Sequence, residues 1–321
     1  SGSLNHGDLN GAAWTEMSLG CSDPYAGNYD PDATHDNGSC TDYPDYGEYD
    51  LSFDGEDDYV LVTDEPSLNP TDNITFSAWI NQSSFPSSWN QILMKYESPQ
   101  VAGYEIYVNG NGKPRVGMAL DGVKTSVDAN TAVQAQSWYH VAGTYDGTEI
   151  KLYINGELDN SVSATGNISV SVDDLTFGES NSVIIDEVTI WGRALTQEEI
   201  QGSMSGLIGD ENGLVGYWKF DAGDGTMAYD HSGSLNHGAI NGASWTRSLT
   251  HVPGDNFEQA LIDLGYDDTL DNYVVTDSIN SVTSLDVGGK EISDLTGIED
   301  FKALEELSCS NNQLTTLDVS K

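Results

Sequence analysis

Carboxylates dominate the chemistry within reach of this chain. Its 321 residues carry 52 Asp and Glu against 11 Lys and Arg, a formal charge of −41. Clustered Asp and Asn oxygens, joined by backbone carbonyls in turns, suit a hard divalent cation, which takes about six to eight oxygens at roughly 2.3–2.6 Å. Two stretches qualify for calcium. One is "FDGEDDY", holding Asp54, Asp57 and Asp58; the other is a short segment with Asp23, Asn28, Asp30, Asp32, Asp36 and Asn37. Each has a plainer alternative, an acidic turn for the first and a bare linker for the second.

Carboxylates could also catalyse. Retaining glycoside hydrolysis needs two of them about 5–5.5 Å apart, which on a strand face means acids at alternating positions. The spacing Glu-x-Asp-x-x-Glu is missing throughout. Asp186 and Glu187 are adjacent, so on a regular strand they should project to opposite faces. There is no nucleophile elbow, metalloprotease His pair or phosphate-cradling glycine loop. His140, in "WYHVAG", reads as a satisfied core residue, and His6 and His237 sit in a repeated segment. The acidity repels phosphate backbones and so excludes nucleic acid as a partner; it also suits solubility in a salty medium. No apolar run approaches spanning length, so membrane insertion is not expected.

Aromatic rings stack on sugars while amides and acids bond the hydroxyls. Trp79, Trp138, Trp191 and Trp218 lie in strand-like blocks and are expected in the core, whereas Trp89 sits in the polar, Ser-rich "QSSFPSSWNQ". Trp89, with Tyr96 and Tyr104 in the following hairpin, forms a candidate patch for a polysaccharide or glycoprotein. Its alternative role is to cap one end of the fold.

These groups need a scaffold. From Tyr49 to about Arg193 the chain alternates short β-branched and aromatic runs, among them "ITFSAWI", "GYEIYVNG" and "EIKLYING", with turn dipeptides such as Asp146-Gly147 and Asn155-Gly156. That pattern predicts an antiparallel sandwich. One helix is expected at "LTQEEIQGSM", with Thr196 as cap and Glu199 three residues on. Cys21 and Cys40 bracket a segment too polar to fold on a core, which predicts a disulfide loop and an oxidising, extracellular setting. Cys309 is expected buried and reduced. After Val252, "DNFEQALIDLGYDD" reads as an amphipathic helix. Then Val282, Leu285, Val287, Ile292 and Leu295 recur 22 residues later as Leu304, Leu307, Cys309, Leu314 and Leu317, within the leucine-rich-repeat range of about 20–29.

The blocks "LSFDGEDDYVLV", "ITFSAWI", "WYHVAGTYDGTEIKLYING", "IIDEVTIWGRALTQEEI" and "GLVGYWKFDAGDGTMAYDHSGSLNHGAINGASW" resemble, in order, the laminin-G-like, pentraxin-like branch of the concanavalin A-type jelly rolls. The resemblance implies two packed antiparallel sheets that bind glycans or proteins, often with calcium. It also implies a structural ion between first and last strands involving Asp54, Asp57, Asp58 or Asp186. The acids between Cys21 and Cys40 resemble those of thrombospondin type 3 calcium repeats, without their tighter Asp-x-Asp-x-Asp-Gly spacing. The C-terminal part resembles the cap and first turns of a bacterial leucine-rich-repeat domain, and the mixture resembles large exported surface proteins of marine Bacteroidetes.

"SGSLNHGDLNGAAWT" at the start returns as "SGSLNHGAINGASWT" at Ser232 to Thr246. The expected layout is therefore residues 1–17 as a remnant of an upstream module, 18–46 as a disulfide-closed acidic linker, 47–248 as the jelly roll and 249–321 as a truncated leucine-rich-repeat cap. Gly213 to Trp245 is expected to complete the jelly roll. The fold class is mainly β, an antiparallel concanavalin A-like sandwich with a small C-terminal α/β cap. The function expected is non-catalytic recognition or adhesion in a secreted or cell-surface protein, with calcium as structural ion, glycan as partner and protein contacts through the leucine-rich part. Two alternatives are an accessory region of a larger polysaccharide-degrading enzyme or peptidase, and a passive spacer.

Overall fold

The computed structural model describes residues 18–45, 49–85, 89–97, 101–247 and 249–316. The first copy of the duplicated segment, and its assignment to an upstream module, lie outside the described residues. Two units divide the chain, Ser1–Pro44 and Asp45–Lys321.

In the first unit a two-residue parallel pair, β1 (Leu19–Gly20) and β2 (His35–Asp36), is clasped by the Cys21–Cys40 disulfide. Apolar burial is confined to small contributions such as Cys21, Ala26 and Tyr43. Order instead comes from side chains closing turns: Asp23 accepts from the Tyr25 amide and the Tyr43 hydroxyl, and Asn28 bonds Thr41 and Ser39.

In the second unit the strands run in order β3 (Asp50–Asp54), β4 (Tyr59–Val62), β5 (Ile74–Gln82), β6 (Asn90–Glu97), β7 (Ala102–Val108), β8 (Pro114–Leu120), β9 (Val123–Asp128), β10 (Trp138–Tyr145), β11 (Glu149–Ile154), β12 (Glu157–Ser163), β13 (Leu175–Phe177) and β14 (Ser182–Trp191). After helix α1 (Gln197–Ser203) come β15 (Leu214–Trp218), β16 (Met227–Ala228), β17 (Gly238–Asn241) and β18 (Ser244–Thr246). They form two sheets. Sheet I has the order β12-β11-β10-β5-β14-β3-β18 with β15 also on β14; sheet II has the order β16-β17-β4-β13-β6-β7-β8-β9.

Alternation decides which residues meet between the sheets. Ile74, Phe76, Ala78 and Ile80 of β5 face Tyr104, Ile106 and Val108 of β7 and Val116, Met118 and Leu120 of β8 across one buried core. Asn155-Gly156 makes the predicted hairpin turn, with φ of 50° and 74°. Thr196 caps α1 in a full capping box with Glu199. Outside sheet I, Ile200 of α1 packs with Trp191, Leu214 and Tyr217 in a second, smaller cluster.

The closing segment enters both layers: β17 pairs with β4 in sheet II and β18 with β3 in sheet I. Its polar anchor is the buried Asp230, which accepts from the amides of Tyr217, Ser232 and Asn236. The Asn236 carbonyl in turn accepts from the indole of Trp218, whose ring is fully buried against Phe177.

Beyond the sandwich are β19 (Leu249–His251), α2 (Asp255–Leu264), β20 (Tyr273–Val275), α3 (Thr276–Asn280), β21 (Ser284–Asp286) and β22 (Glu306–Ser308). They share a separate core of Val252, Phe257, Leu261, Leu285 and Val287. Strands β21 and β22 pair in parallel, Leu285 opposite Leu307, an offset equal to the sequence period. Asn312 secures it, accepting from the amides of Lys290 and Ile292 and donating to the carbonyls of Val287 and Cys309. Cys309 is an unpaired thiol, half-buried rather than fully enclosed.

Emptying the space of Trp218 should cost about 3–5 kcal/mol. Urea unfolding of Trp218→Ala is expected to shift to lower denaturant with an unchanged slope. A loss below about 1 kcal/mol would show that the closing segment stands outside the cooperative core.

Candidate functional site

The outward face of sheet II gathers aromatic and charged side chains in three rows. Strand register sets them. Gln91, Tyr107, Arg115 and Asp128 lie across β6 to β9 in the first and Met94, Glu105, Gly117 and Ser126 in the second; in the third Tyr96 pairs with Gly103 and Ala119 with Lys124, the Ser169 backbone bonding between the two pairs. Trp89 stands just before β6, beside the first row, with 47% of its surface exposed.

Arg115 and Lys124 each touch both a ring and an acid. The Arg115 guanidinium lies 4.2 Å from the Trp89 ring centroid and forks onto Asp128 at 2.7 and 2.8 Å. That fork raises the Arg115 pKa and lowers that of Asp128. Trp89 meets Tyr107 edge to face at 6.2 Å, and Tyr107 Oη contacts Met94 Sδ. Burial, then the nearby Glu105, pushes the Tyr107 phenol up to about 12, so it remains a neutral hydroxyl. In the third row Lys124 Nζ lies 4.6 Å from the Tyr96 ring centroid and 2.6 Å from Glu105 Oε1. Glu105 is 1% exposed, and its Oε2 has no hydrogen-bond partner among the described residues.

This face corrects the sequence-derived patch. Trp89 and Tyr96 belong to it, but Tyr104 points the other way. Its ring is 1% exposed, packs against Phe76 inside the sandwich and donates its hydroxyl to the Leu68 carbonyl. Tyr107, three residues on and of opposite parity, takes its place. Alternation along "GYEIYVNG" carried the signal, since Ile106 and Val108 face the core and so turn Glu105 and Tyr107 outward. Trp191 and Trp218 are buried as expected, whereas Trp79 and Trp138 are half-buried on the outer face of sheet I. His140, paired with Trp79, is buried on the outer face of sheet I rather than in the core, with Nδ1 unpartnered among the described residues. Desolvation lowers its pKa to about 4, leaving it neutral.

The predicted metal ligands separate into three places. Asp54, Asp57 and Asp58 bring carboxylate oxygens within 4.8 Å of one another at the β3–β4 turn. Asp58 Oδ2 accepts from the Asp54 amide, and Asp54 Oδ1 from the Glu56 amide. Asp186 does not join them. Ser182 pairs with Asp54 and Ile185 with Leu51, so Asp186 lies four residues along, roughly 13 Å at about 3.3 Å per residue. In the disulfide loop Asp23, Asn28 and Asp30 are engaged in turns. Among the described residues, Asp23, Asp30, Asp32 and Asp36 form no comparable three-carboxylate group.

Asp186 and Glu187 mark another departure. A bulge lies between Asp186 and Thr189, and Glu187 has a φ of 49°. Instead of projecting to opposite faces, both acids end on the outer side of sheet I, where Tyr217 Oη donates to Glu187 Oε2 at 2.5 Å. Burial, then the Glu187 charge, raises the Asp186 pKa well above the carboxylate range. Burial also lifts Glu187 to about 7 against the lowering effect of Tyr217.

The second unit is thus a mainly antiparallel β-sandwich, two sheets on a shared core, with aromatic and charged side chains on the outward face of sheet II. Residues 54–201 match the laminin G-like family model described as the concanavalin A-like lectin/glucanases superfamily. No curated protein sequence matches the chain significantly. Among solved structures, a Bacteroides ovatus protein proposed to bind carbohydrate superposes with a TM-score of 0.51 at 20% identity, over 64% of this chain and 61% of that one. The match thus spans about three fifths of that protein's length. A heptameric SAP-like pentraxin from Limulus polyphemus gives a TM-score of 0.40 at 16% identity, over 50% of this chain and 82% of that one.

Glu187 holds its proton more tightly in the folded chain than in the unfolded one. Its contribution is therefore full below about pH 4.5 and is lost as pH rises through about 7. Melting temperature is expected to fall across that window, and Glu187→Gln to flatten the fall. At roughly 1.4 kcal/mol per tenfold change in proton affinity the effect is a few kcal/mol at most. Identical pH profiles of parent and variant would contradict it.

Proposed function

We propose that this chain is a non-catalytic recognition module whose sheet II face binds glycan, within a secreted or cell-surface protein. One observation carries the reading: Trp89, Tyr107 and Tyr96 are grouped on one face and are braced by Arg115 and Lys124 beside a buried acceptor, Glu105. Rings held in place lose little freedom when a sugar stacks on them. The family description covers lectins as well as glucanases, and the lectin branch is the one adopted here. The Cys21–Cys40 disulfide supports an oxidising compartment. The fully bonded Asn312 and the 22-residue strand offset support reading the C-terminal segment as leucine-rich-repeat coils with a protein-binding role. Isothermal titration against a panel of polysaccharides is expected to find a ligand, and Trp89→Ala to weaken it by about tenfold or more, a loss of roughly 1.4 kcal/mol. Unchanged affinity in Trp89→Ala would reject this face.

Calcium is proposed at Asp54, Asp57 and Asp58. Their oxygens lie close enough together to share one ion, with turn carbonyls or water completing the shell. At a hundredfold excess over Kd, a ligand of the folded state adds about 2.7 kcal/mol. Melting is expected to rise with calcium and return with chelator, and Asp57→Asn to abolish the response. A melting temperature indifferent to calcium would remove the ion from the proposal.

A further inference from the structure

We infer that Glu258 of α2 and Asp267 of the loop that follows hold one calcium ion, at a site separate from the Asp54 turn. Two enclosed carboxylate oxygens point to it. Glu258 is fully buried, and its Oε1 accepts from the amides of Asp271, Asn272 and Tyr273 at 2.7, 2.5 and 3.2 Å. Those bonds fix the carboxylate against the loop of residues 265–272. Glu258 Oε2 is itself closed to solvent with no hydrogen-bond partner among the described residues, and Asp267 Oδ2, on that loop, is in the same state. Burial, then the charges of Glu258 and Asp271, raise the Asp267 pKa against the lowering pull of the Asp268 and Thr269 amides, so the two carboxylates lie within each other's field. A buried carboxylate without donor or counter-charge is strongly destabilising. One bound cation would neutralise both.

The chain brings no positive side chain to the pair. Lys290, whose ammonium reaches α2, is bonded to Asp263 at 2.8 Å, and the loop "GYDDTLDN" holds no Lys, Arg or His. It holds no Cys either, so oxygen is the donor on offer, and an all-oxygen set selects a hard ion. The carbonyls of residues 266–271 accept no backbone hydrogen bond among the described residues and can complete the shell. Magnesium keeps several of its waters, whereas an ion between oxygens shut away from solvent draws its shell from the chain, as calcium does. With one carboxylate fewer than the Asp54 group this is the weaker site, with a Kd of about 0.1–1 mM, the range of extracellular modules. Because the loop runs from the end of α2 to β20, the ion would tie the helix that carries Phe257 and Leu261 to that strand.

Calcium should be titrated into the full chain carrying Asp57→Asn, with hydrogen exchange of residues 255–275 as the local readout beside isothermal titration. One ion is expected to bind, and about 10 mM calcium to slow exchange there by about tenfold. Glu258→Gln, made in the same background, keeps an acceptor for the three amides and should weaken binding by about tenfold or more. Asp267→Asn separates a ligand from a structural acid. Without calcium it relieves the repulsion and should exchange more slowly than the parent; with calcium the order should reverse, since only the parent gains from the ion. No calcium bound in Asp57→Asn, or binding untouched by both further variants, would overturn the inference. So would Asp267→Asn exchanging more slowly by the same margin with and without calcium, the outcome of a shared proton in place of an ion. The Asp54 site is read on global melting and this one on local exchange, so either can fail alone.

Discussion

Filling the space between two sheets with side chains that alternate along every strand is the constraint on which the rest of this structure depends. Once Tyr104, Ile106 and Val108 of β7 and Val116, Met118 and Leu120 of β8 are committed to the core, Glu105, Tyr107, Arg115 and Gly117 have no choice but the outer face. The recognition surface is therefore a by-product of packing. A one-residue slip of β7 would turn Glu105 and Tyr107 into the inter-sheet core and Tyr104 out of it, so core and site are specified by the same register.

Electrostatics refines what packing sets. In a chain so short of cations, placing Arg115 and Lys124 on one face and pairing each with an acid and a ring gives local order. The partly exposed Arg115–Asp128 pair contributes little stability, about 0–1 kcal/mol, so its significance lies in holding Trp89 in a fixed position. Asp186 and Glu187 follow the opposite logic. They sit at a bulge on the outer side of sheet I, and burial resists their ionisation.

Much of the fold was legible in the sequence because its signals are local. Strand alternation, the Asn155-Gly156 turn, the Thr196–Glu199 capping box, the Cys21–Cys40 pairing and the 22-residue period all read directly onto the coordinates. The site was legible in part. Trp89 and Tyr96 stand out by their surroundings, whereas Tyr104 and Tyr107 share one short run and only strand parity tells the inward ring from the outward one. The family resemblance joins Asp186 to Asp54, whereas the register, Ser182 opposite Asp54, sets them four residues apart. Nothing in "IIDEV" announces a bulge, since that depends on β14 changing partner from β3 to β15.

The way β18 meets β3 has a mechanical meaning. Thr246 pairs with Asp50 in an antiparallel ladder three residues long, so the chain enters and leaves the sandwich at the same end of that ladder. A stretching force applied through the two flanking segments would open these bonds one after another, as a zipper is peeled, rather than load them all at once in shear. Tension would thus first detach the closing strand from sheet I, while β17 remains anchored on β4 in sheet II.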